Sequence, residues 1–474
     1  MHKNFLKTPE RWDKTADIVI IGSGLAGLAA AAQAAGQKNR VIVLEKMSYY
    51  GGNSVLAGGG IAASDSKLKM RQKLNLGEDS WQLHMEDTIK AGGYYNIPRL
   101  VEVMARGAPS SLDWLADAGV KFKDILARVG GHSVARGYQS SMPGKAMMDC
   151  VKQAALNAGA EIWLNSEVSG IFRDLTSGEV LGVEVKKENE TVRIFAGKAV
   201  IIASGGFSRD IEMRTEHNPA LDESLPCSNH KGATGEIIRY AKAIGADALH
   251  MEFVQLYPCA NPVTGSVDRW AFYAYSGAGF GMIYVNDEGK RFVRELAGRD
   301  EVSGAQMKLC KNPTWAVFNE EIVNALRMAP EEVESGIKLG RMVKGDSVAE
   351  LEQKLNMPSG SLTDTVERIN HALKTDGIDP DFGGERATGM IALEQGPFYA
   401  ISQWPCVHYT MGGLRIDETA RVIDVFGEPI PRLYAAGEVC GGVHRANRVG
   451  GNSLTDCIVF GRIAGERSAA ETAR

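Results

Sequence analysis

Closely spaced cysteines are missing from this chain. Its seven cysteines lie at 150, 227, 259, 310, 406, 440 and 457, and no two form Cys-x-x-Cys. A c-type haem attachment, a zinc knuckle and an iron–sulfur ligand set all need such spacing, so none is expected, and no metal site. The odd, scattered count reads as reduced thiols of the cytoplasm. A periplasmic protein trimmed of its leader would look the same. Basic charge is not in excess: 53 Lys and Arg stand against 58 Asp and Glu, a net −5. That leaves no footprint for nucleic acid and no polybasic patch for a membrane surface. Long apolar runs are missing too. Residues 1–16 are polar and do not read as a signal peptide. The most membrane-like window, Ile18 to Gly36, is interrupted by Gly, Ser and Gln, so no membrane insertion is expected. Repeats and low-complexity tracts are absent.

What remains is an ordinary globule, 44% hydrophobic and 23% charged, and at 474 residues too long for one core. Its most informative stretch runs from Asp17 to Glu45. An apolar strand, 18–21, ends in Gly22, Gly24 and Gly27. An Ala-rich helix (25–36) follows, then a second apolar strand (41–45) closing on Glu45. This is a βαβ dinucleotide fingerprint in its required context. Gly22 permits the tight turn, Gly24 lets the backbone approach a pyrophosphate, and Gly27 lets helix and strand pack closely. Glu45 is placed to take a ribose hydroxyl, and the helix N-terminus faces the phosphates.

Downstream, Tyr50 to Gly60 is a glycine-rich loop that could pass flat against a planar ligand. Residues 80–118 and 144–158 have helical spacing. Short strands are expected at 162–164, 167–172, 180–186 and 192–195, with 186–190 a charged hairpin tip. Ala199 to Ile202 is a buried strand leading to Ala203-Ser204-Gly205-Gly206, a second backbone stretch able to approach a dinucleotide. A helix at 236–244 follows. Past residue 251 aromatics cluster, and charged helices are expected near 319–327, 347–355 and 361–374. Residues 252–408 therefore read as an insertion between a first part, 1–251, and a last part, 409–474, which ends in a helix at 453–471.

Several motifs then coincide: Glu45-Lys46-Met47 with Gly51-Gly52-Asn53-Ser54 and Gly59-Gly60; Ala203 to Phe207; Gly232-Ala233-Thr234-Gly235-Glu236; Asn286 to Phe292 with Glu295 and Arg299-Asp300; Val407-His408-Tyr409-Thr410-Met411-Gly412-Gly413; and Tyr434 to Val439 with Ala446 to Ser453. In this order they resemble the flavoprotein of the fumarate reductase/succinate dehydrogenase family, above all its soluble flavocytochrome c-type branch of fumarate, urocanate and methacrylate-type reductases. The resemblance covers roughly residues 16–470. It implies an α/β fold: a split, Rossmann-like FAD-binding domain with an inserted α+β capping domain, the active site lying between them. It implies FAD held non-covalently. Gly22, Gly24 and Gly27 would hold the pyrophosphate and Glu45 the ribose, with Ala26 and Lys46 also among the cofactor-binding residues. Gly52, Asn53, Ser54, Gly58, Gly59 and Gly60 would line the flavin, with Val168 at the adenine. Ala203, Ser204, Gly205, Thr234, Gly235, Gly437 and Glu438 complete the contacts. Ser453 and Leu454, opening the last helix, would present N–H groups to the flavin's N1/O2 edge, where reduced flavin is anionic.

The resemblance also implies chemistry. Reducing a C=C bond takes a hydride at one carbon, a proton at the other, and donors that hold the transient charge. FAD N5 would be the hydride source and Arg299 the proton donor. His408 and Arg448 match the pair that grips a substrate carboxylate, for which a planar guanidinium fork is suited, and Gly451 lines the same pocket. The departures matter as much. Tyr257-Pro258-Cys259 stands where the fumarate enzymes use His, Ala274-Tyr275 where they carry Thr-Glu, and Ala278 where they carry an Arg of the proton relay. Burying a second carboxylate without donors is costly. Tyr257, Tyr275 and Phe272 therefore point to a small unsaturated monocarboxylate with an apolar, aromatic or weakly polar far end: acrylate-, methacrylate-, cinnamate- or urocanate-like. His444 reads as structural, and its neighbour Arg445 departs from the usual loop glycine. Electrons would come from a separate cytochrome or flavoprotein. The alternatives are a fumarate reductase, the same machinery run as a dehydrogenase of a saturated acid or ketone, and a non-catalytic flavin-binding subunit.

Overall fold

The computed structural model describes residues 6–128, 131–188, 190–386 and 389–474. Residues 1–5 of the expected lead-in arm, and Asn189 of the expected hairpin tip, lie outside the described residues. The chain divides into two compact units. The first comprises 1–222, 229–254 and 409–474; the second comprises 223–228 and 255–408. Segment 223–228, which precedes the expected insertion, goes with the second unit.

The first unit is built on β1 (Lys14–Ile21), α1 (Leu25–Ala35) and β2 (Val41–Leu44). Ile18, Val19 and Ile20 are wholly buried, as a central parallel strand covered on both faces requires. Ile20 pairs in parallel with Val43 on one side and Ile201 on the other. Among the described residues the sheet has eight strands. Its main path runs Arg421–Ile423, Pro429–Ala435, Glu190–Ile202, β1, β2 and Glu161–Trp163. The hairpin Ser166–Arg173 with Val180–Lys187 joins through Glu190–Ile202.

The strands expected at 192–195 and 199–202 are one strand of 13 residues. Gly197 and Lys198 read as a break because neither favours a strand. The structure places a register shift there: Ala16 faces Ala196, but Ile18 faces Ala199. Arg432 supports the irregularity, its Nε donating to Lys198 O at 2.8 Å and its Nη2 to Ala196 O at 2.8 Å.

α1 owes its place to small side chains. Alanines give it strong helix propensity and little bulk. The last helix (Asn452–Ala469) packs on it through Gly461 and Gly465. A Cβ on Gly461 would lie 2.5 Å from Ala26 O.

Among the described residues the second unit carries a five-stranded sheet that includes Phe398–Thr410, Thr314–Asn319, Ile283–Val285 and Met342–Gly345. Its long strand pairs antiparallel with Thr314–Asn319 on one side and Met342–Gly345 on the other. Arg291 is buried and donates to Glu295, Asp379 and Asp381, at 2.7–2.8 Å. The ion cluster fixes the turn that leads into the helix Arg299–Leu309.

A mid-helix Gly→Ala change ordinarily stabilises by about 1 kcal/mol. At Gly461 the sign should reverse. Gly461→Ala should destabilise the FAD-free chain by roughly 1–3 kcal/mol through overpacking. Denaturant unfolding checks this, and a stabilised variant would show that the two helices are not in backbone contact.

Candidate active site

The first unit holds a cleft with about 820 Å³ of open space, part of it continuous with solvent. It opens on the turn between β1 and α1. Gly22 has φ +103°, and a Cβ there would strike the Ala203 carbonyl. Only glycine allows the first turn and the 203–205 stretch to cross this closely. Gly24 is open: a Cβ would find nothing nearer than Ser54 Oγ at 3.9 Å. α1 begins at that point with no side-chain cap and no acid in its first turn. Ser54 Oγ accepts from Leu25 N at 3.2 Å. The other leading N–H groups suit an anionic group such as a pyrophosphate.

Glu45 is buried and tied down. Ser23 donates to its Oε2 through Oγ at 2.5 Å and through N at 3.2 Å. Met47 N donates to Oε1 at 2.9 Å. Lys46 Nζ donates to Thr234 Oγ1 at 2.6 Å and pairs with Glu236 at 2.5 Å. Across the cleft, Glu438 accepts from Thr410 N at 3.1 Å and from Asn53 Nδ2 at 3.3 Å. Burial raises its pKa against these donors. Asn53 Oδ1 in turn accepts from His230 N at 2.7 Å.

Of the residues expected at the cofactor, Gly22, Gly24, Ala26, Glu45, Lys46, Gly52, Asn53, Ser54, Val168, Ala203, Ser204, Gly205 and Glu438 line this cleft. Gly27, Gly58, Gly59, Gly60, Thr234, Gly235, Gly437, Ser453 and Leu454 are not among its lining residues. Gly60 begins a short strand, Gly60–Ala62, paired antiparallel with Gly137–Ser140. Thr234 acts through Lys46. Ser23, His230 and Glu236 line the cleft but escaped the sequence reading. Their only signal was membership of the glycine motifs. Lined by open glycines, a helix N-terminus and a fixed acid, the cleft fits the ADP portion of FAD.

A second cluster lies within the second unit. Arg299 Cζ sits over the Tyr257 ring at 5.0 Å and the Tyr275 ring at 4.9 Å. Its Nη1 donates to Gln255 Oε1 at 3.5 Å. Tyr257 stacks at a tilt on Tyr275 and on His408, each with centroids 5.4 Å apart. Ser228 Oγ lies 2.9 Å from His408 Nδ1 and orients that ring. Burial pushes the Tyr257 hydroxyl well above its ordinary pKa, so it stays neutral. Burial alone would lower the Arg299 pKa, but the Tyr275 and Tyr257 oxygens outweigh it and the net direction is up. Arg299 therefore carries its proton in the resting enzyme. Phe272, expected with this cluster, is 61% exposed. Ala274 and Ala278 are buried and carry no group that could relay a proton.

Arg448 and Gly451 belong to the first unit. Arg448 Cζ lies over the Tyr409 ring at 4.7 Å, and its Nη1 donates to Val449 O at 3.2 Å. Its loop is held from both flanks. Asn96 Nδ2 donates to Val443 O at 2.7 Å and Ile97 N to Gly442 O at 2.8 Å. Arg445 adopts a left-handed φ of +45°. Its guanidinium stacks 3.5 Å from the Tyr95 centroid and 4.8 Å from that of Phe253, which offsets the strain. His444 is buried edge-on to Tyr409 and 3.6 Å from the Asp456 carboxylate.

No helix among the described residues is long and apolar enough to cross a membrane. No metal-binding group of His, Cys, Asp or Glu occurs among them.

A parallel βαβ unit, an uncapped helix end and a ribose-side acid define a flavin-dependent oxidoreductase once known proteins are compared. The profile of the family described as "FAD binding domain" matches residues 17–454. A urocanate reductase of Eggerthella lenta is 34% identical over 472 residues, covering 98% of this chain and 76% of the relative. An acrylate reductase flavoprotein subunit of Shewanella woodyi is 32% identical over 468 residues, covering 96% and 91%. The solved open conformation of a flavocytochrome c3 fumarate reductase superposes with a TM-score of 0.83 at 32% identity, covering 97% of this chain and 78% of that one. The chain belongs to the FAD binding domain family and, within it, to the fumarate reductase/succinate dehydrogenase flavoproteins. It binds FAD and acts on CH–CH bonds.

Glu438→Leu would strand the buried Thr410 N–H and Asn53 amide, costing about 1–3 kcal/mol. FAD should dissociate correspondingly more readily in a fluorescence titration. Glu438→Gln, which keeps an acceptor oxygen, should retain most of the affinity.

Proposed function

We propose that the protein reduces the C=C bond of an α,β-unsaturated monocarboxylate. The carrying observation is Arg299, half-buried against Tyr257 and Tyr275, with the Tyr257 ring reaching His408. FAD, when bound, supplies the hydride that attacks one alkene carbon.

Arg299 delivers the proton to the other carbon. A guanidinium gives up a proton only to a strongly basic centre. A developing carbanion is such a centre, whereas water and tyrosine are not. The acid therefore discharges only when the reaction has advanced. His408 and Arg448 hold the substrate carboxylate, and the backbone at Gly451 lines the same pocket. Donors on that carboxylate stabilise the charge delocalised into it. Tyr257 and Tyr275, rather than the exposed Phe272, receive the far end of the substrate. An aromatic wall with buried alanines offers no counter-charge, so a second carboxylate there would be penalised. The names of the relatives, which include urocanate and acrylate reductases, support a substrate of this class.

Electrons are supplied by a separate cytochrome or flavoprotein. The seven free cysteines support a cytoplasmic location, with the periplasm the alternative.

Enzyme whose flavin has been chemically reduced should be reoxidised by acrylate, methacrylate, cinnamate or urocanate faster than by fumarate. If no enoate exceeds buffer, the reading fails. Arg299→Ala should lower turnover by at least about 100-fold, the usual weight of a positioned acid, and leave FAD bound. Unchanged turnover would remove Arg299 from its role.

A further inference from the structure

A buried polar cluster adjoins the start of the last helix, and no step above uses it. It gathers His84, Asp87 and Thr88 from the helix Trp81–Ala91 with His132 and Arg136. His84 and Arg136 are both 0% exposed. Arg136 grips Asp79 at two points, 2.9 and 3.1 Å, and Nη1 donates to Asp87 Oδ2 at 2.7 Å.

The hydrogens of this cluster can be placed by logic alone. Arg136 Nη1 also lies 3.3 Å from His132 Nδ1. A guanidinium has only donors, so Nδ1 is the acceptor and the His132 proton sits on Nε2. That N–H donates to Gly450 O at 2.9 Å. Thr88 spends its one proton on His84 O at 2.8 Å, so Thr88 Oγ1 accepts from Asn452 Nδ2 at 2.9 Å. The Asn452 oxygen then faces His84 Nε2 at 2.8 Å and takes its proton. His84 Nδ1, left bare, has no hydrogen-bond partner among the described residues. Burial lowers His132 to about 4 and His84 to about 3. Both rings stay neutral, and the chain of donors does not change near neutral pH.

The two histidines hold the residues on either side of Gly451. That glycine sits at φ +86° and precedes a helix with no side-chain cap and no acid in its first turn. A glycine in this region is free to move, and a helix end binds charge only where its N–H groups are aimed. We propose that His132 and His84, keyed by Arg136 and Thr88, are positioning residues that aim the N-terminus of the last helix at the flavin. The inference deepens the reading of Ser453 and Leu454 as flavin contacts and rests on it.

The test uses the holoenzyme and its His132→Leu, His132→Gln and Thr88→Val variants. The readouts are the FAD dissociation constant, the flavin midpoint potential and hydrogen exchange at amides 451–455. His132→Leu should weaken FAD about tenfold, lower the potential and speed exchange. His132→Gln, which keeps an N–H for Gly450 O, should stay within about threefold of the parent. Thr88→Val, a near-isosteric change, should move all three readouts in the same direction as Leu, and it decides the matter if His132→Leu does not fold. Unchanged exchange in both Leu and Val variants would overturn the clamp. Faster exchange with unchanged affinity and potential would overturn its link to the flavin, while leaving the enoate reading untouched.

Discussion

Two helix ends are buried without acids or caps of their own, and the first unit is arranged around them. α1 and the last helix each begin at a glycine, with no side-chain cap and no acid in the first turn. Leading N–H groups need partners, and a helix end left in a buried setting without them is unstable. The sequence leaves room for an anionic ligand instead. The same two helices meet backbone to backbone through Gly461 and Gly465 against Ala26 and Ala30. Small residues thus serve two needs at once. They bring the helices together, and as cap residues they put no side chain of their own over the leading N–H groups.

The first unit was legible because its signals are local. Gly22, Gly24 and Glu45 form one continuous motif, and the structure puts all three around one cleft. Where the sequence reading slipped, the reason lay in distant residues. Gly197 and Lys198 look like a strand end; Arg432, far along the chain, donates to the Ala196 and Lys198 carbonyls and lets the strand continue. Gly60 also pairs with Gln139 in a short sheet, a partner no local pattern reveals. In the second unit, alternation in Phe398–Thr410 was obscured by aromatics and Pro405, and that unit's antiparallel pairings were not foreseen.

The candidate catalytic residues follow the same division. Arg299, Tyr257, Tyr275 and His408 could be named from motifs, and the structure gathers them. Phe272 shares their chemistry and lies at the same-face spacing from Tyr275, yet it is exposed, which helical spacing alone does not reveal. Ser228 and His132 carry no signal in the sequence, and Ser23 only its place in a glycine motif. Each acts by holding another side chain or a carbonyl, and such roles depend on contacts that only folding creates.

The register shift in Glu190–Ile202 has a consequence for how this sheet tolerates length changes. Side chains on a strand alternate between faces, so an extra residue reverses the alternation for everything beyond it. Ala196 and Ala199, an odd number apart, both follow the face set by Ala16 and Ile18. Three steps along this strand, Ala196 to Ala199, thus span what two steps, Ala16 to Ile18, span on β1, and the extra residue is absorbed locally. Losing one residue at 197–198 would leave a regular ladder with Val200, Ile201 and Ile202 still opposite Val19, Ile20 and Ile21. Gaining another residue there would instead carry those three side chains to the opposite face unless a second irregularity absorbed it. The strand therefore tolerates a deletion at this point more readily than an insertion.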